Sequence, residues 1–347
     1  MKAINDLSIS EISDFLIANN EKSFRAKQIY QWIWQKNVSD FAAMTNLSAA
    51  LRSILEANFY IRSLSVEQEH VSQDGSRKYI LRLFDRQQIE MVIIPSKQRT
   101  TVCISSQVGC ALGCRFCATG SMGFKRNLHA DEIYQQVFLA NELSKTNYGT
   151  HLSNIVIMGM GEPLLNLDNV SKAIDIITGK DGMEMSPSRI TLSTAGISTK
   201  LSRLAVLQPN IGLAISLHAA DAEKRKTIMP VAERYSLSEL VAALKDYHKT
   251  TGQRITIEYL LLKNINDSTD DAQKLAALCR NFPVKINLIN YNPHPHSAFE
   301  PTTKERQQAF AELLESKNML VYVRQSKGQD IAAACGQLVS KQHNGNR

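Results

Sequence analysis

No stretch of this chain approaches the roughly 18 consecutive apolar residues that a membrane-spanning helix needs. Its opening decapeptide, MKAINDLSIS, lacks the basic-then-apolar layout of a secretory signal. Membrane and export roles are set aside, and the cytoplasm is the expected compartment. No internal repeat, low-complexity block or long flexible linker interrupts the 347 residues, enough for one large domain with a smaller appendage. A second pair of closely spaced cysteines is also missing. Of six cysteines (103, 110, 114, 117, 279 and 335), three crowd into CALGCRFCATG (110–120). In a reducing compartment such thiols bind metal or do chemistry before they form structural disulfides. What is present in bulk is ordinary: 44% hydrophobic and 21% charged residues describe a globular protein. A net charge of +7 and a pI near 9.0 lean toward a polyanionic partner without establishing one.

The pattern along the chain changes twice. Residues 1–60 read as a small helical domain: Ser8 and Glu11 form a capping box ahead of EISDFLIAN, and FRAKQIYQWIWQK (24–36) and SAALRSILEANF (48–59) carry apolar residues at helical spacing. Residues 61–95 read as a short β extension, with KYILRLF and QIEMVIIP as strands after an Asp74–Gly75 turn. Residues 96–340 alternate strand and helix. Strands are expected at 101–105, 154–159, 189–195, 211–218, 254–262, 285–291 and 319–325, with amphipathic helices such as 131–143, 236–248 and 303–316 between them. Repeated βα units require a parallel sheet with helices outside it. About six units is short of the complete eightfold barrel, so the expected class is α/β, a partial (β/α)6 barrel of TIM type. Chemistry belongs at the carboxyl ends of its strands. The tail, 341–347, is expected to fray.

Cys110, Cys114 and Cys117 fall in the loop leaving the first of those parallel strands. A closed zinc site takes four ligands, and catalytic zinc recruits His or carboxylates, whereas thiolates alone suit iron–sulfur chemistry. A cubane held by three cysteines leaves one iron for an outside ligand. The C-x3-C-x2-C spacing resembles the radical S-adenosylmethionine superfamily. That resemblance implies a 4Fe–4S cluster whose open iron is chelated by S-adenosylmethionine, and a 5′-deoxyadenosyl radical produced by one-electron cleavage. MGMGEP (158–163) resembles the superfamily's cofactor-binding loop, with Gly161 and Glu162 facing the ammonium group. Ser193, Ser216, Leu217, His218 and Asn292 also end strands, and look like the ribose, carboxylate and adenine contacts.

The combination of SSQVGCALGCRFCATG, GMGEPL, ISLHA, KINLINYNP and DIAAACGQL is similar to the RNA adenine carbon-2 methyltransferase family of RlmN type, and FRAKQIYQWIWQK resembles its N-terminal helical domain. The resemblance implies an enzyme that methylates carbon 2 of an adenosine in 23S ribosomal RNA and in transfer-RNA anticodon loops. Electron-poor carbon 2 offers no lone pair for ordinary methyl transfer. The family therefore methylates the cysteine matching Cys335 with one S-adenosylmethionine, then uses a second to turn that methyl into a radical that joins the ring. Cys103 matches the residue that takes the ring proton and releases product by forming a disulfide with Cys335. Glu90 matches a proton-accepting glutamate, although its strand position reads equally as a solvent-facing carboxylate. A flavodoxin and its reductase are the implied electron donor, and a monomer is expected.

Other readings stay open. A sister family methylates carbon 8 of the same ribosomal nucleotide with the same catalytic residues. A noncatalytic RNA-binding or ribosome-assembly protein with a structural cluster is the rival from another class. For RNA contact the sequence offers Arg115, Lys125 and Arg126 beside the thiol loop, and Arg25, Lys27 and Lys36 on the second helix. HPH (294–296) is expected at the surface, and Cys279 in a helix core.

Overall fold

The computed structural model describes residues 1–97, 99–295 and 297–338. The tail 341–347 and His296 lie outside the described residues. Helices begin where the sequence supplies caps. In α1 (Ile9–Ala18), the Ser8 hydroxyl accepts the Glu11 N–H at 3.2 Å, and the Glu11 carboxylate accepts the Ser8 N–H at 2.8 Å. Ser48 caps α3 (Ala49–Asn58), and α2 (Arg25–Trp34) lies between the two. Their apolar faces, Ile12 and Leu16, Ile29, Ile33 and Trp34, Leu51 and Leu55, are buried together. Each such side chain contributes roughly 1.5–3 kcal/mol on burial. The sequence predicts helices alone in this region. The structure adds a parallel pairing of Lys2–Ala3 with Phe59–Tyr60 that joins the ends of the bundle. Two-residue strands carry no period, so a pattern reading passes over them.

Ten strands then form one sheet in strictly sequential order. The first three are β1 (Ser65–Val71), β2 (Arg77–Arg82) and β3 (Gln88–Ser96), antiparallel to one another and to β4 (Arg99–Cys103). From β4 onward every pairing is parallel, through β5 (Asn154–Ile157), β6 (Ile190–Thr194), β7 (Gly212–Ser216), β8 (Ile255–Leu261), β9 (Val284–Asn290) and β10 (Val321–Arg324). Six helices make the crossovers: α4 (Ala130–Tyr148), α5 (Leu167–Thr178), α6 (Ser198–Leu207), α7 (Leu237–Thr251), α8 (Thr269–Cys279) and α9 (Lys304–Ser316). This is the partial six-unit barrel of the sequence reading. Residues 61–95 are not a separate connector, because β3 is hydrogen-bonded directly to β4.

The amino-terminal helices are docked on the barrel through α4. Trp34 packs edge-on against Tyr134, ring centroids 5.5 Å apart, and the Tyr134 hydroxyl donates to the Trp34 carbonyl. Arg62 is buried and ties Asp131 of α4, at 2.9 Å, to Asp6. Asp131 therefore keeps a partner where an unpaired carboxylate would be costly.

The sheet does not close on itself, because β1 and β10 are its two edges. A polar strap does what a strand pairing would do in a full barrel. After β10 the chain crosses to the β1–β2 turn. There Gly328 N–H donates to Asp74 at 2.9 Å, Ser72 Oγ donates to Asp330 at 2.6 Å, and Gln73 N–H donates to Asp330 at 3.0 Å. Lys78 of β2 adds a bond from Nζ to the Ala332 carbonyl at 3.2 Å. Desolvation raises the Asp74 carboxyl, but the bonds from Gly328, Ser76 and Ser72 outweigh it and hold the group down at about 2. Replacing Asp74 by Ala should loosen the strap by about 1 kcal/mol, the low end for a charge-assisted bond because Asp74 is exposed. Hydrogen exchange in 328–338 should then quicken about fivefold while 49–58 is unchanged; an equal rate in both proteins would dismiss the strap.

Candidate active site

The three clustered thiols sit on a hairpin extension of β4. Residues 107–109 pair with 124–127, and Cys110 N–H donates to the Gly123 carbonyl at 3.0 Å. Gly109 is obligatory in this turn. Its φ is +75°, and a Cβ there would lie 1.9 Å from the Gly123 oxygen. Cys110, Cys114 and Cys117 are half-buried and reduced, and close enough for their charges to oppose one another. Burial raises all three thiols, Cys110 up to about 12, and Glu162 adds to the effect on Cys110 and Cys114. Donors facing the sulfurs pull the other way: Leu112 N–H at Cys110, and Gly120 and Thr119 at Cys117.

Among the described residues no three His, Cys, Asp or Glu side chains converge on a point that one metal ion could hold. A tetrahedral zinc, with bonds of about 2.3 Å, needs thiolates about 3.8 Å apart. Three thiols on one loop, in mutual electrostatic range, are a donor set suited to an iron–sulfur cluster.

MGMGEP leaves β5 and folds back over the start of the thiol loop. Gly161 has φ +103°, and a Cβ there would meet Gln107 at 2.5 Å, so this glycine is demanded by packing against the chain itself. Ser105 Oγ donates to the Glu90 carbonyl at 2.7 Å and accepts the Met160 N–H at 2.9 Å. Glu162 is buried, and both its oxygens accept backbone donors: Leu164 N–H at 3.0 Å and Ala195 N–H at 2.8 Å. Burial raises this carboxyl. Glu162 is thus a brace between the ends of β5 and β6, and since the Thr194 hydroxyl also donates to it, little of its acceptor capacity is left for a ligand.

The other strand-end residues gather around the same mouth. Ser193 and Ser216 place their hydroxyls 3.4 Å apart on adjacent strands. Leu217 is buried and gives its N–H to the Glu258 carbonyl at 3.1 Å. His218 is held at φ +55° with Nδ1 accepting the Leu260 N–H at 3.0 Å, and its ring stands edge-on to Phe116 at 4.8 Å. Burial, with Arg225 adding repulsion, lowers His218 to about 3, so the ring is neutral. Asn292 is engaged at both ends of its amide, accepting from Gln329 at 2.6 Å and donating to the Cys335 carbonyl at 3.4 Å.

The strap carries Cys335 to this mouth from the far end of the chain. Ala118 N–H donates to the Gly336 carbonyl at 2.7 Å, and Thr119 Oγ1 donates to the Leu338 carbonyl at 2.6 Å, stitching the strap to the thiol loop. Cys103, at the end of β4, is near enough to Cys335 for the latter's charge to act on it; burial is the larger cause, and together they push Cys103 up to about 12. Both thiols are free. Solvent reaches Cys335, yet the protein around it and Glu258 still raise its thiol, against Arg324. Glu90 is not solvent-facing: it is 1% exposed and pairs with Lys78 at 3.3 Å, the same lysine that holds the Ala332 carbonyl. A strand's own pattern does not say which of its faces another segment will cover; here Lys78, bound to the strap at Ala332, lies against the Glu90 carboxylate.

The residues offered for RNA contact differ in how free their side chains are. Arg126 is committed to Asp85 at 2.6 Å and Glu132 at 2.7 Å, and Lys36 lies over the Trp32 ring at 3.5 Å. Arg115, Lys125 and Lys27 are exposed, and Arg25 bonds Gln28 and the Asn46 carbonyl. His294 is half-buried, with Nε2 3.2 Å from the Phe116 carbonyl, instead of lying at the surface. Cys279 is buried in α8, as expected of a small apolar residue. The sequence reading missed Glu258, Arg225 and Gln107. Glu258 was detectable in principle as a lone carboxylate in the apolar run of β8; Arg225 sits in a charged helix that reads as surface.

A parallel αβ sheet with three free thiols off its first parallel strand and a glycine-rich loop off its second defines the radical SAM class, and the model of the Radical SAM superfamily matches residues 104–276. The model of the ribosomal RNA large subunit methyltransferase N-terminal domain matches residues 3–61. The chain is 46% identical over 341 residues to a probable dual-specificity RNA methyltransferase RlmN of Cytophaga hutchinsonii, covering 98% of this chain and 93% of that one. It is 41% identical to the dual-specificity RNA methyltransferase RlmN of Campylobacter hominis, covering 98% of each. A crystal structure of a radical SAM methyltransferase from Sphaerobacter thermophilus superposes with a TM-score of 0.90 at 40% identity, over 97% of this chain and 99% of that one. The FeFe-hydrogenase maturase HydG from Carboxydothermus hydrogenoformans, at 15% identity and a TM-score of 0.51, over 67% of this chain and 55% of that one, shares the fold alone. The chain belongs to the RlmN family of dual-specificity RNA methyltransferases.

The histidine gives a signed pH dependence. Its folded value lies below the ordinary 6.5, so neutral His218 contributes fully above pH 6.5, and that contribution is lost as pH falls from 6.5 toward 3. In thermal melts across that range the native protein should lose Tm more steeply than His218→Gln; parallel curves would refute a neutral buried ring.

Proposed function

We propose that this protein methylates carbon 2 of adenosine in 23S ribosomal RNA and in transfer RNA, with Cys335 as methyl carrier and Cys103 as the residue that frees the product. The observation that supports the reading most directly is that Cys103 and Cys335, from opposite ends of the barrel sequence, lie within electrostatic range beside the thiol loop. Cys110, Cys114 and Cys117 hold the cluster, leaving one iron open for S-adenosylmethionine, with Gly161, Glu162, Ser193, Ser216, Leu217, His218 and Asn292 around the cofactor. When bound, that pair supplies an electron to a sulfonium and hence a carbon radical, which is the chemistry an electron-poor ring carbon needs.

The chain's own residues then have distinct tasks. Cys335 Sγ loses its proton and would take a methyl group from the sulfonium of one S-adenosylmethionine, which leaves as S-adenosylhomocysteine. Its position on a solvent-reached rim suits a thiol that must meet both cofactor and RNA. Once the thioether carbon is joined to the ring, Cys103, as thiolate, takes the ring proton and hands it to the methyl carbon as that carbon's bond to the Cys335 sulfur breaks; the two sulfurs then join, and the single electron left over would return to the cluster. Glu90 is a further proton acceptor, and its buried pairing with Lys78, one bond away from the Cys335 segment, supports that role. Two S-adenosylmethionine molecules are consumed per turnover, one for each task. The target adenine leaves its stack to enter the mouth. The helical unit of residues 1–60 assists RNA binding through Lys27 and its neighbours, working with a flavodoxin-type reductant and as a monomer in the cytoplasm. The described residues contain no helix long and apolar enough to cross a membrane.

Cys335→Ala should abolish methylation, and native protein should be one methylene heavier at Cys335 by intact mass. Cys103→Ala should accumulate a covalent protein–RNA adduct on gels. Modified RNA, digested and compared with 2-methyl- and 8-methyladenosine standards by mass spectrometry, should co-elute with the former. No adduct, or the 8-methyl product, would reject the roles or the regiochemistry respectively.

A further inference from the structure

Arg225 is the most thoroughly buried cation among the described residues, with a relative exposure of 0%. It sits on the short helix Ala222–Ile228, capped by Asp221, between the ends of β6 and β7. Nε donates to the Leu217 carbonyl at 3.1 Å and Nη2 to the Ala195 carbonyl at 2.7 Å. Nη1 is buried without a hydrogen-bond partner. A buried cation normally has an anion beside it, as Arg62 has Asp131 and Asp6. Beside Arg225 the acidic group in electrostatic range is the thiol of Cys114. The same helix also receives the cluster loop directly, since Arg115 N–H donates to the Ile228 carbonyl at 3.0 Å.

We propose that Arg225 is the countercharge of the cluster loop, a positioning residue whose fixed guanidinium neutralises the thiolate of Cys114 and seats that corner of the cluster against β6 and β7. The inference rests on the cluster reading given above. Metal loading strips the protons from all three thiols, so negative charge appears in a loop whose own cations, Arg115 and Lys125, are exposed and whose Arg126 is already paired. Two of the guanidinium's nitrogens are bound to strand-end carbonyls, so the third is aimed before any metal arrives and needs no reorganisation. A fixed positive charge favours the reduced, more negative state of the cluster, so it raises the reduction potential.

The test uses full-length protein, reconstituted anaerobically with iron and sulfide, in the native form and as R225Q and R225K. Reductive titration followed by EPR should place the R225Q midpoint at a more negative potential than native, with R225K near native. An R225Q midpoint equal to native overturns the proposal. If S-adenosylmethionine affinity falls at the same time, Nη1 serves the cofactor's carboxylate instead. Should R225Q fail to fold or load iron, the deciding measurement moves to 15N-arginine-labelled protein in an R115K background, which removes the exposed neighbour. A 15N coupling in the pulsed EPR spectrum of the reduced cluster upholds Arg225, and its absence overturns it. Native protein that forms no cluster spectrum would instead sink the cluster reading and this inference with it.

Discussion

The arrangement of this molecule depends on a few hydrogen bonds that replace a missing strand pairing. A seven-stranded parallel sheet stops short of closure, and its edges, β4's antiparallel neighbours on one side and β10 on the other, are bridged by Asp74, Asp330 and Lys78. Those bonds aim the chain after β10 across the barrel mouth. Without that crossing, Cys335 would continue away from β10, and Cys103 would face open solvent at the end of β4. The antiparallel extension supplies the turn that receives the strap, and it supplies Glu90 and Lys78 beneath it. One architectural device thus serves both closure and the assembly of the reactive thiols.

Around the mouth, polar groups are used sparingly and each is spent on the backbone. Glu162, Asn166, His218, Arg225 and Asn266 are buried, and each bonds backbone groups at strand ends where the regular ladder has run out. Such groups are expensive to bury unless satisfied, so their cost fixes loop geometry with little freedom. Desolvation also sets the charge state. It keeps His218 neutral and holds the free thiols protonated, and it raises the carboxyls of Glu162 and Glu258.

How much of this could be read from sequence follows from the range of each interaction. The capping box at Ser8, the six βα units and the thiol spacing are local, and pattern alone recovers them. Glu90 was ambiguous, because a strand's own alternation does not say that Lys78 and the distant strap will lie over its side chain. Arg126 looked free for RNA beside Lys125, yet its partners Asp85 and Glu132 come from other elements. Asn292 ends a strand as a ligand contact would, and its bonds to Gln329 and the Cys335 carbonyl, made by a segment far along the chain, are not readable from that position. Arg225 had no signal at all: a Lys/Arg-rich helix reads as surface, and its burial is decided by two strand ends and the thiol loop together.

The distinction between local and distant thiols is also a functional one. Cys110, Cys114 and Cys117 share one loop whose hairpin fixes their separation, so a site for a cluster is specified by a short segment and its immediate support. Cys103 and Cys335 acquire their relationship through the whole sheet, since each further strand rotates the edge that finally delivers Cys335. Under the proposed mechanism the pair would have to approach to form a bond and separate for the next methyl transfer, and such an arrangement suits that. The anchors of the Cys335 segment are hydrogen bonds at an exposed rim, which open at lower free energy than a packed core strand. On the proposed roles, the cluster ligands are held by the hairpin, while the carrier thiol sits on a segment that polar contacts draw across the sheet, with Ala333 and Leu338 packed into the core beside it.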